Sequence, residues 1–282
     1  MTTVKSHQRE AVRLRAGIDL NGKVSSETSL RALAALARFR ETLDEFQVKT
    51  LRVVGTQAFR MIDPADPFLS AVEEILRAPL EVMSGTEEAY ATFQGVLSLE
   101  PISNALDHHL VIDIGGGSTE VVLGSSFRPL LAESLPLGGV ELTARSAEQP
   151  PYHEAFFIKL KSVCHRQMLE PLSAFNGKEW QYTYLAAGMA EVFAELKGPS
   201  NKAITRALLK NLMMRYIQGE IMPGIIPSLT QDKWMILPAA LCILDTLMAI
   251  LKIDTVKASK GSLRQSLLLS MMQQPASLLT SV

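Results

Sequence analysis

Apolar residues in the first hundred positions recur with two different periods, one typical of helices and one typical of strands. They keep helical spacing from Leu30 to Phe39, and Ser25 or Ser26 can cap a helix that reaches about residue 46. The same patterns predict a strand at 51–55, a helix at 66–76, a strand at 80–84 and a helix at 85–97. Strands and helices that alternate at these lengths predict βαβ units and a parallel sheet.

Polar residues follow the predicted strands at three places, namely 56–60, 84–88 and 113–120. Ligands of parallel α/β sheets bind at the carboxyl ends of the strands. If these three strand ends lie close together, their polar side chains face one crevice. The order of the elements therefore predicts a ligand site before any single residue is considered.

The stretch at 111–120 has the most distinctive composition in the chain. An apolar run leads to Asp113, and the acid Glu120 is followed by a second apolar run at 121–123. This pattern predicts strand, tight turn and strand. The residues of the turn that can donate hydrogen bonds to a phosphate are Gly115, Gly116, Gly117, Ser118 and Thr119. Asp113 and Glu120 could hold a metal ion or a water, and a plain β-hairpin remains the alternative reading.

The second half of the chain continues the α/β pattern. The predicted elements are a strand at 130–133, a loop at 135–140, a helix at 153–169, a strand at 182–185, a helix to 196, helices at 201–216 and 232–252, a strand at 255–259 and a helix at 262–272. The polar, proline-bearing stretch at 101–107 predicts a boundary between a first domain at 1–105 and a second at 106–282. The basic helix at 159–166 could guide a polyanion or simply face solvent.

Composition limits the function classes. The 282 residues are 47% hydrophobic and 20% charged, which fits a globular chain of two domains. A formal net charge of −1 argues against broad nucleic-acid binding, which requires a basic field. Two isolated cysteines, Cys164 and Cys242, fit a reducing cytoplasm better than a disulfide framework. The apolar segment at 234–253 has the length of a membrane span, but a buried core helix looks the same, and we expect no membrane partner.

Four segments of the chain resemble the exopolyphosphatase/guanosine pentaphosphate phosphohydrolase family. Residues 111–124 match its V-I-D-I-G-G-G-S-T-E-x-V-x-G signature without a break. Residues 53–60, 82–89 and 134–138 resemble its V-G-T-x-A-x-R, I-S-G-x-E-E-A and S-L-P-L-G segments, in the same order and at similar spacing. The resemblance is clear over 10–145 and weaker to about 272.

The resemblance implies a two-domain, ribonuclease H-like α/β fold of the actin, sugar-kinase and heat-shock-chaperone superfamily. It implies an enzyme that releases terminal phosphate from polyphosphate or pppGpp with Mg²⁺. Carried over by motif, Glu88 would be the general base, Arg60 would bind a phosphate oxygen, and Asp113 and Glu120 would position Mg²⁺ and water. Family members often form dimers, which leaves a homodimer as an expectation.

The chain also departs from the family pattern. The family's first strand and its D-x-G-S-N-S loop are not found, so we expect an incomplete first domain whose 51–54 strand has an unpaired apolar edge. Ala187-Gly188-Met189 stands where the family has S-G-T, and two acids are missing at 259–266. The C-terminal phosphohydrolase-like domain of longer members is not found either. The alternatives are a catalytically weak relative that binds phosphate ligands or a partner, and a start site placed too late.

Overall fold

The computed structural model describes residues 4–102, 104–146, 152–199 and 201–273. The described residues form two compact units that divide between Ser84 and Gly85. The sequence predicted this division between residues 105 and 106. The structure instead assigns the 85–97 helix to the second unit, because the helix packs against strands and another helix of that unit.

The first unit confirms the helices and strands predicted from its periodicity. Its elements are α1 (Ser26–Glu45), β1 (Val53–Gly55), α2 (Gln57–Arg60), α3 (Pro67–Leu76) and β2 (Leu80–Val82). Ser25 caps α1 by accepting a hydrogen bond from the Thr28 N–H, and Asp66 caps α3 in the same way through the Phe68 N–H. Pro67 occupies the first turn of α3, where a missing N–H costs no helical hydrogen bond.

Strands β1 and β2 form a two-stranded parallel sheet, in which Val53 pairs with Leu80 and Gly55 with Val82. Within the described residues β1 has no second strand partner, so the expected unpaired edge is present. Phe68, Val72 and Leu76 of α3 are buried in this unit's own core. The apolar face of α3 therefore carries much of the packing that a wider sheet would otherwise provide.

The second unit is built around a six-stranded mixed sheet of order β5-β4-β3-β6-β8-β7. Its strands are β3 (His108–Ile114), β4 (Thr119–Ser125), β5 (Arg128–Leu135), β6 (Tyr182–Ala186), β7 (Ile204–Thr205) and β8 (Thr255–Ala258). Its helices are α4 (Gly85–Leu97), α5 (Gly139–Ser146), α6 (Glu154–Met168), α7 (Ala187–Leu196), α8 (Arg206–Ile217), α9 (Gln231–Ile250) and α10 (Leu263–Gln273), with a 3₁₀ helix at Pro171–Phe175. β3 runs antiparallel to β4 and parallel to β6.

The two faces of this sheet bury different cores because side chains alternate along each strand. Leu110 and Ile112 of β3 face the larger core, which includes residues from α6 to α9. Val111 of β3 faces the opposite way and packs with Phe93 of α4. Asp113 follows the same alternation as Val111, so it lies on the side of the sheet that α4 covers.

Helix α4 packs against β3, β4 and β5 and against α10, which explains its assignment to the second unit. Backbones approach closely at the α4–α10 contact: a Cβ built on Gly95 would lie 2.0 Å from the carbonyl oxygen of Ser262. Only a residue without a side chain fits there. The sequence left open whether the last helix returns to the first domain; in the structure both helices belong to the second unit.

The structure changes one predicted helix and supports one interpretation of another. Residues 204–205 lie inside the helix predicted at 201–216 but form the short edge strand β7, and Thr205 then caps α8 through the Leu208 N–H. Helix α9 is long and apolar enough to cross a membrane by length and composition, yet 72% of its most apolar window is buried inside the protein. This burial fits the core-helix interpretation of the 234–253 segment.

Candidate active site

Three carboxyl side chains come together at one end of the sheet in the second unit. Glu88 lies in the first turn of α4, Asp113 near the end of β3, and Glu120 near the start of β4. Asp113 and Glu120 are paired residues of the antiparallel hairpin, so their side chains project from the same face. That is the face covered by α4, and the antiparallel register therefore brings together acids that the sequence places seven residues apart.

The surroundings of these acids raise the pKa values of two of them. Burial, with the nearby Glu88 carboxylate as second cause, raises the pKa of Asp113 to about 7. Burial, followed by Glu88 and Asp113, raises the pKa of Glu120 to about 8. Like charges in a poorly hydrated site disfavour further ionisation. Such a cluster holds protons until a cation or a donor compensates its charge.

The hydrogen bonds of these acids leave acceptor capacity unused. Ser134, the β5 partner of Glu120, donates its hydroxyl to Oε1 of Glu120 at 2.9 Å. Oδ1 of Asp113 is buried and accepts no hydrogen bond from a described residue. A buried carboxylate oxygen without a partner is costly unless a ligand or ion satisfies it. Asp113 therefore has the donor chemistry expected of a group that binds a cation.

The glycine turn between β3 and β4 is held by the start of α5. The N–H groups of Gly139 and Val140 donate to the carbonyl oxygens of Gly115 and Gly116 at 2.9 and 2.8 Å. Gly138 packs directly on the turn, since a Cβ at this position would lie 2.4 Å from the carbonyl carbon of Gly116. The carbonyl side of the turn is thus fixed by α5, which restricts the orientation of its N–H groups.

The remaining turn residues differ in what they offer a ligand. The N–H groups of Gly116 and Gly117 donate to no described backbone carbonyl, and Gly116 is exposed. Ser118 is buried and helps to lower the pKa of Glu120 against the dominant effect of burial. Thr119 is fully buried and donates its hydroxyl to the Leu137 carbonyl at 2.6 Å. The structure thus gives Thr119 a role in tying the turn to the following loop, and its single hydroxyl proton is already engaged.

Arg60 is the one predicted site residue that lies in the first unit. It ends α2, and its guanidinium donates to the Met83 carbonyl at 3.0 Å. This contact connects α2 to the segment that follows β2 and orients the arginine within that unit. Its role toward phosphate stays a prediction.

Asp113 and Glu120 fit a divalent cation that substrate phosphates and waters also bind. Among the described residues no group of three or more His, Cys, Asp or Glu side chains has the arrangement of a metal site. Mg²⁺ is often bound by one or two carboxylates together with substrate phosphates and waters, so it does not need such a group. The unpartnered oxygen of Asp113 and the neighbouring Glu120 fit that kind of ligand set.

Sequence reasoning missed two features at the same end of the sheet. Lys233, in the first turn of α9, is 4% exposed, and its Nζ lies 3.2 Å from a Glu191 carboxylate oxygen. A Cβ built on Gly188 would lie 3.6 Å from its Cε, which places this cation beside the first turn of α7. Ala187, which begins α7, has a left-handed backbone, φ 59°, a conformation that is strained for alanine and concentrates at functional sites. The charge of Lys233 was visible in the sequence, but its position depends on how α9 packs.

Comparisons with solved structures agree with this fold. The chain superposes on the crystal structure of an exopolyphosphatase from Cytophaga hutchinsonii ATCC 33406 with a TM-score of 0.81 and 22% identity, covering 93% of this chain and 88% of the other. It superposes on a Ppx/GppA family member from Aquifex aeolicus with a TM-score of 0.71 and 22% identity, covering 93% and 86%. At these identities the likeness establishes the fold, and the predicted actin-like α/β class is confirmed.

The family assignment comes from the sequence as a whole. A sequence model of the Ppx/GppA phosphatase family matches residues 1–275, nearly the entire chain. The predicted phosphohydrolase class agrees with this match, and the glycine turn with its two acids lies within the matched range. The chain belongs to the Ppx/GppA phosphatase family.

Proposed function

We propose that this protein is an exopolyphosphatase-type phosphohydrolase that releases terminal phosphate from inorganic polyphosphate or from pppGpp. The observation that carries the proposal is the cluster of Glu88, Asp113 and Glu120 beside a glycine turn whose carbonyls are tied to α5. Phosphoryl transfer depends mostly on positioning and on neutralising charge, and a rigid turn with neighbouring acids suits both tasks.

In this proposal Glu88 removes a proton from the attacking water. It lies in the first turn of α4, next to two carboxyls whose pKa values are raised. A general base must lie within hydrogen-bond reach of the water that it activates. Asp113 and Glu120 orient the water or a cation, and Ser134 fixes Glu120 by its hydrogen bond.

Phosphate oxygens would be bound by the N–H groups of Gly116 and Gly117, since backbone amides in a glycine turn can converge on an anion. Arg60 would add a planar guanidinium, which suits two phosphate oxygens at once. Mg²⁺, held by Asp113 and Glu120, would neutralise charge on the transferred phosphate. We expect the protein to act in the cytoplasm.

A second function is favoured by one specific observation. The first turn of α7, directly after β6, carries Ala187 and Met189, so it offers no hydroxyl at either position, and Met189 is buried. A relative that binds phosphate ligands or a protein partner but turns over slowly would be consistent with this segment. The two proposals differ in turnover, whereas both require phosphate binding.

Phosphate release by the purified chain separates these proposals. We expect release from polyphosphate or pppGpp that depends on Mg²⁺ and is slower by about 100-fold or more in the Glu88→Gln variant. Saturable binding of either substrate without release would support the binding protein instead. Absence of both binding and release would contradict the proposed site itself.

A further inference from the structure

The second unit contains a cavity of ≈ 570 Å³ at the end of the sheet opposite to the acids. It lies between two segments, 175–183 and 250–257. The first segment leads into β6 and the second leads from α9 into β8. The volume falls within the range of roughly 300–1,000 Å³ that is typical of small-molecule sites.

The strands themselves open this cavity. β6 and β8 pair only through Tyr184 with Lys257 and Leu185 with Ala258. The first residues of β8 pair only on its other edge, with β7, through Thr255 with Thr205. The first residues of β6, Tyr182 and Thr183, are therefore not paired with β8. Because Tyr182 and Ala186 begin and end the same strand, this opening lies about 13 Å from the end that carries Asp113.

Lysines outnumber acids by three to two in the lining of the cavity. Lys178, Lys252 and Lys257 line it, together with the acids Glu179 and Asp254. In the described part of the chain none of these five side chains forms an ion pair or a hydrogen bond. The Nζ of Lys257 lies 5.3 Å from the centroid of the Tyr182 ring, a cation–π contact that holds this ammonium at the wall of the cavity. The excess of lysine over acid favours an anion.

The other lining groups restrict the kind of anion. Trp180 is half-buried, packs against the main core and forms an aromatic part of the wall. Glu179 and Asp254 can only accept hydrogen bonds when ionised, so they would repel a bare phosphate yet accept bonds from sugar hydroxyls. Lysines, carboxylates and an indole together match the three parts of a nucleotide: phosphates, ribose and base.

We propose that this cavity binds a nucleotide. Its phosphates contact Lys178, Lys252 and Lys257, its ribose hydroxyls donate to Glu179 or Asp254, and its base packs against Trp180. The proposal concerns a second site and is independent of hydrolysis at the acid cluster. A bound nucleotide would connect the start of β6 to the start of β8. Its effect on the acids would pass along β6, because the far end of β6 pairs with Asp113.

Tryptophan fluorescence can test this inference, because the chain has two tryptophans and only Trp180 lines the cavity. Trp234 lies in α9 and stacks on Tyr216, so the Trp234→Phe variant leaves Trp180 as the single reporter. We expect ATP or GTP, added without divalent cations, to change its emission in a saturable way. Lys252→Asn should then weaken binding by about tenfold, as for loss of one charged contact. Asparagine is chosen because Lys252 has a left-handed backbone, φ 55°, that asparagine tolerates.

Two further variants complete the binding experiment. Lys178→Gln gives a second cavity variant in an exposed loop, and Lys210→Ala on the exposed face of α8 is the matched control with unchanged affinity. No saturable change up to millimolar nucleotide, or equal weakening by the control, would overturn the proposal. Tripolyphosphate that binds as tightly as ATP would overturn the roles given to Trp180 and the acids. Phosphate release measured on the same variants reports separately on the catalytic proposal.

Discussion

The two ends of the six-stranded sheet differ in the charge they collect. At the carboxyl end of β3 the hairpin register brings Asp113 and Glu120 together beside Glu88. At the amino end of β6 and β8 three lysines and two acids line the cavity. One sheet thus has an acid cluster at one end, suited to a cation and a water, and a lysine-bearing cavity at the other, suited to an anion. Strand pairing creates the first site, whereas the second lies where β6 and β8 are not paired.

The largest expected effect is at the acidic end. Glu88→Gln should lower the rate of phosphate release by about 100-fold or more, as for loss of a general base. The folded state should persist, because Glu88 lies at the start of a helix that Phe93 and Val96 anchor. Steady-state kinetics with either substrate provides the measurement. The neighbouring exposed Glu87→Gln is the matched control, and equal losses in both variants would contradict the assigned role.

The glycine turn should be the next most sensitive feature. Gly138→Ala places a methyl group 2.4 Å from the backbone of Gly116, which forces the turn or α5 to move. We expect a loss of about 2 kcal/mol in the free energy of unfolding, together with weaker substrate binding. Urea unfolding measures the first quantity. Gly188→Ala is the control, because its Cβ would meet Lys233 at an ordinary 3.6 Å; an equally large loss there would disprove the steric argument.

Stability without divalent cations should depend on pH through the buried acids. The pKa of Glu120 rises from 4.5 to about 8 on folding, so the native state holds more protons than the unfolded chain between these values. Stability from this group is therefore present at low pH and is lost as pH rises through 8. Glu120→Gln should stabilise the protein by about 1–2 kcal/mol at pH 9 relative to its effect at pH 5.

Thermal unfolding at both pH values in the presence of EDTA gives the comparison. Mg²⁺ should raise the melting temperature of the unmodified protein at pH 9 and raise it less in Glu120→Gln. A pH-independent effect of the substitution would contradict the buried ionisation at this end of the sheet.

The smallest expected effect sharpens the contrast between the two ends, because it concerns a lysine at the acidic end. Lys233→Met keeps much of the apolar stem beside Gly188 and removes the charge. If Lys233 assists substrate binding, KM should rise about fivefold with little change in kcat. Glu191→Gln, which removes its ion-pair partner, is the control for loss of that pair. Similar kinetics for both variants would restrict Lys233 to a structural role.

The sequence predicted the elements of the fold well where caps and periodicity agree, as in α1 behind Ser25 and α3 behind Asp66. It also predicted the hairpin that pairs Asp113 with Glu120, because the glycine turn and its two flanking acids lie in one continuous stretch. It missed β7, since two residues carry no periodicity and Ile204 is fixed only by pairing with Val256. Thr119 looked like a ligand donor because the Leu137 carbonyl that accepts its hydrogen bond is distant in sequence.

The lysine cavity could not be predicted for a related physical reason. Its two segments are about 75 residues apart and meet only because α9 returns the chain to the sheet beside β6. Likewise, the domain boundary moved to Ser84 because α10, from the end of the described chain, completes the packing of α4. Each feature that local patterns did not predict depends on contacts between residues that are far apart in the sequence.

The position of β7 has a consequence for synthesis of the chain on the ribosome. Within the described sheet β7 pairs only with β8, although fifty residues separate the two strands in the chain. Residues 204–205 and the helix they introduce therefore cannot join the sheet until residues 255–258 have emerged. During that interval the exposed edge of β6 is a site for misfolding, because β8 has not yet covered it. Nascent chains arrested between these two points should be cleaved by proteases that spare the finished protein.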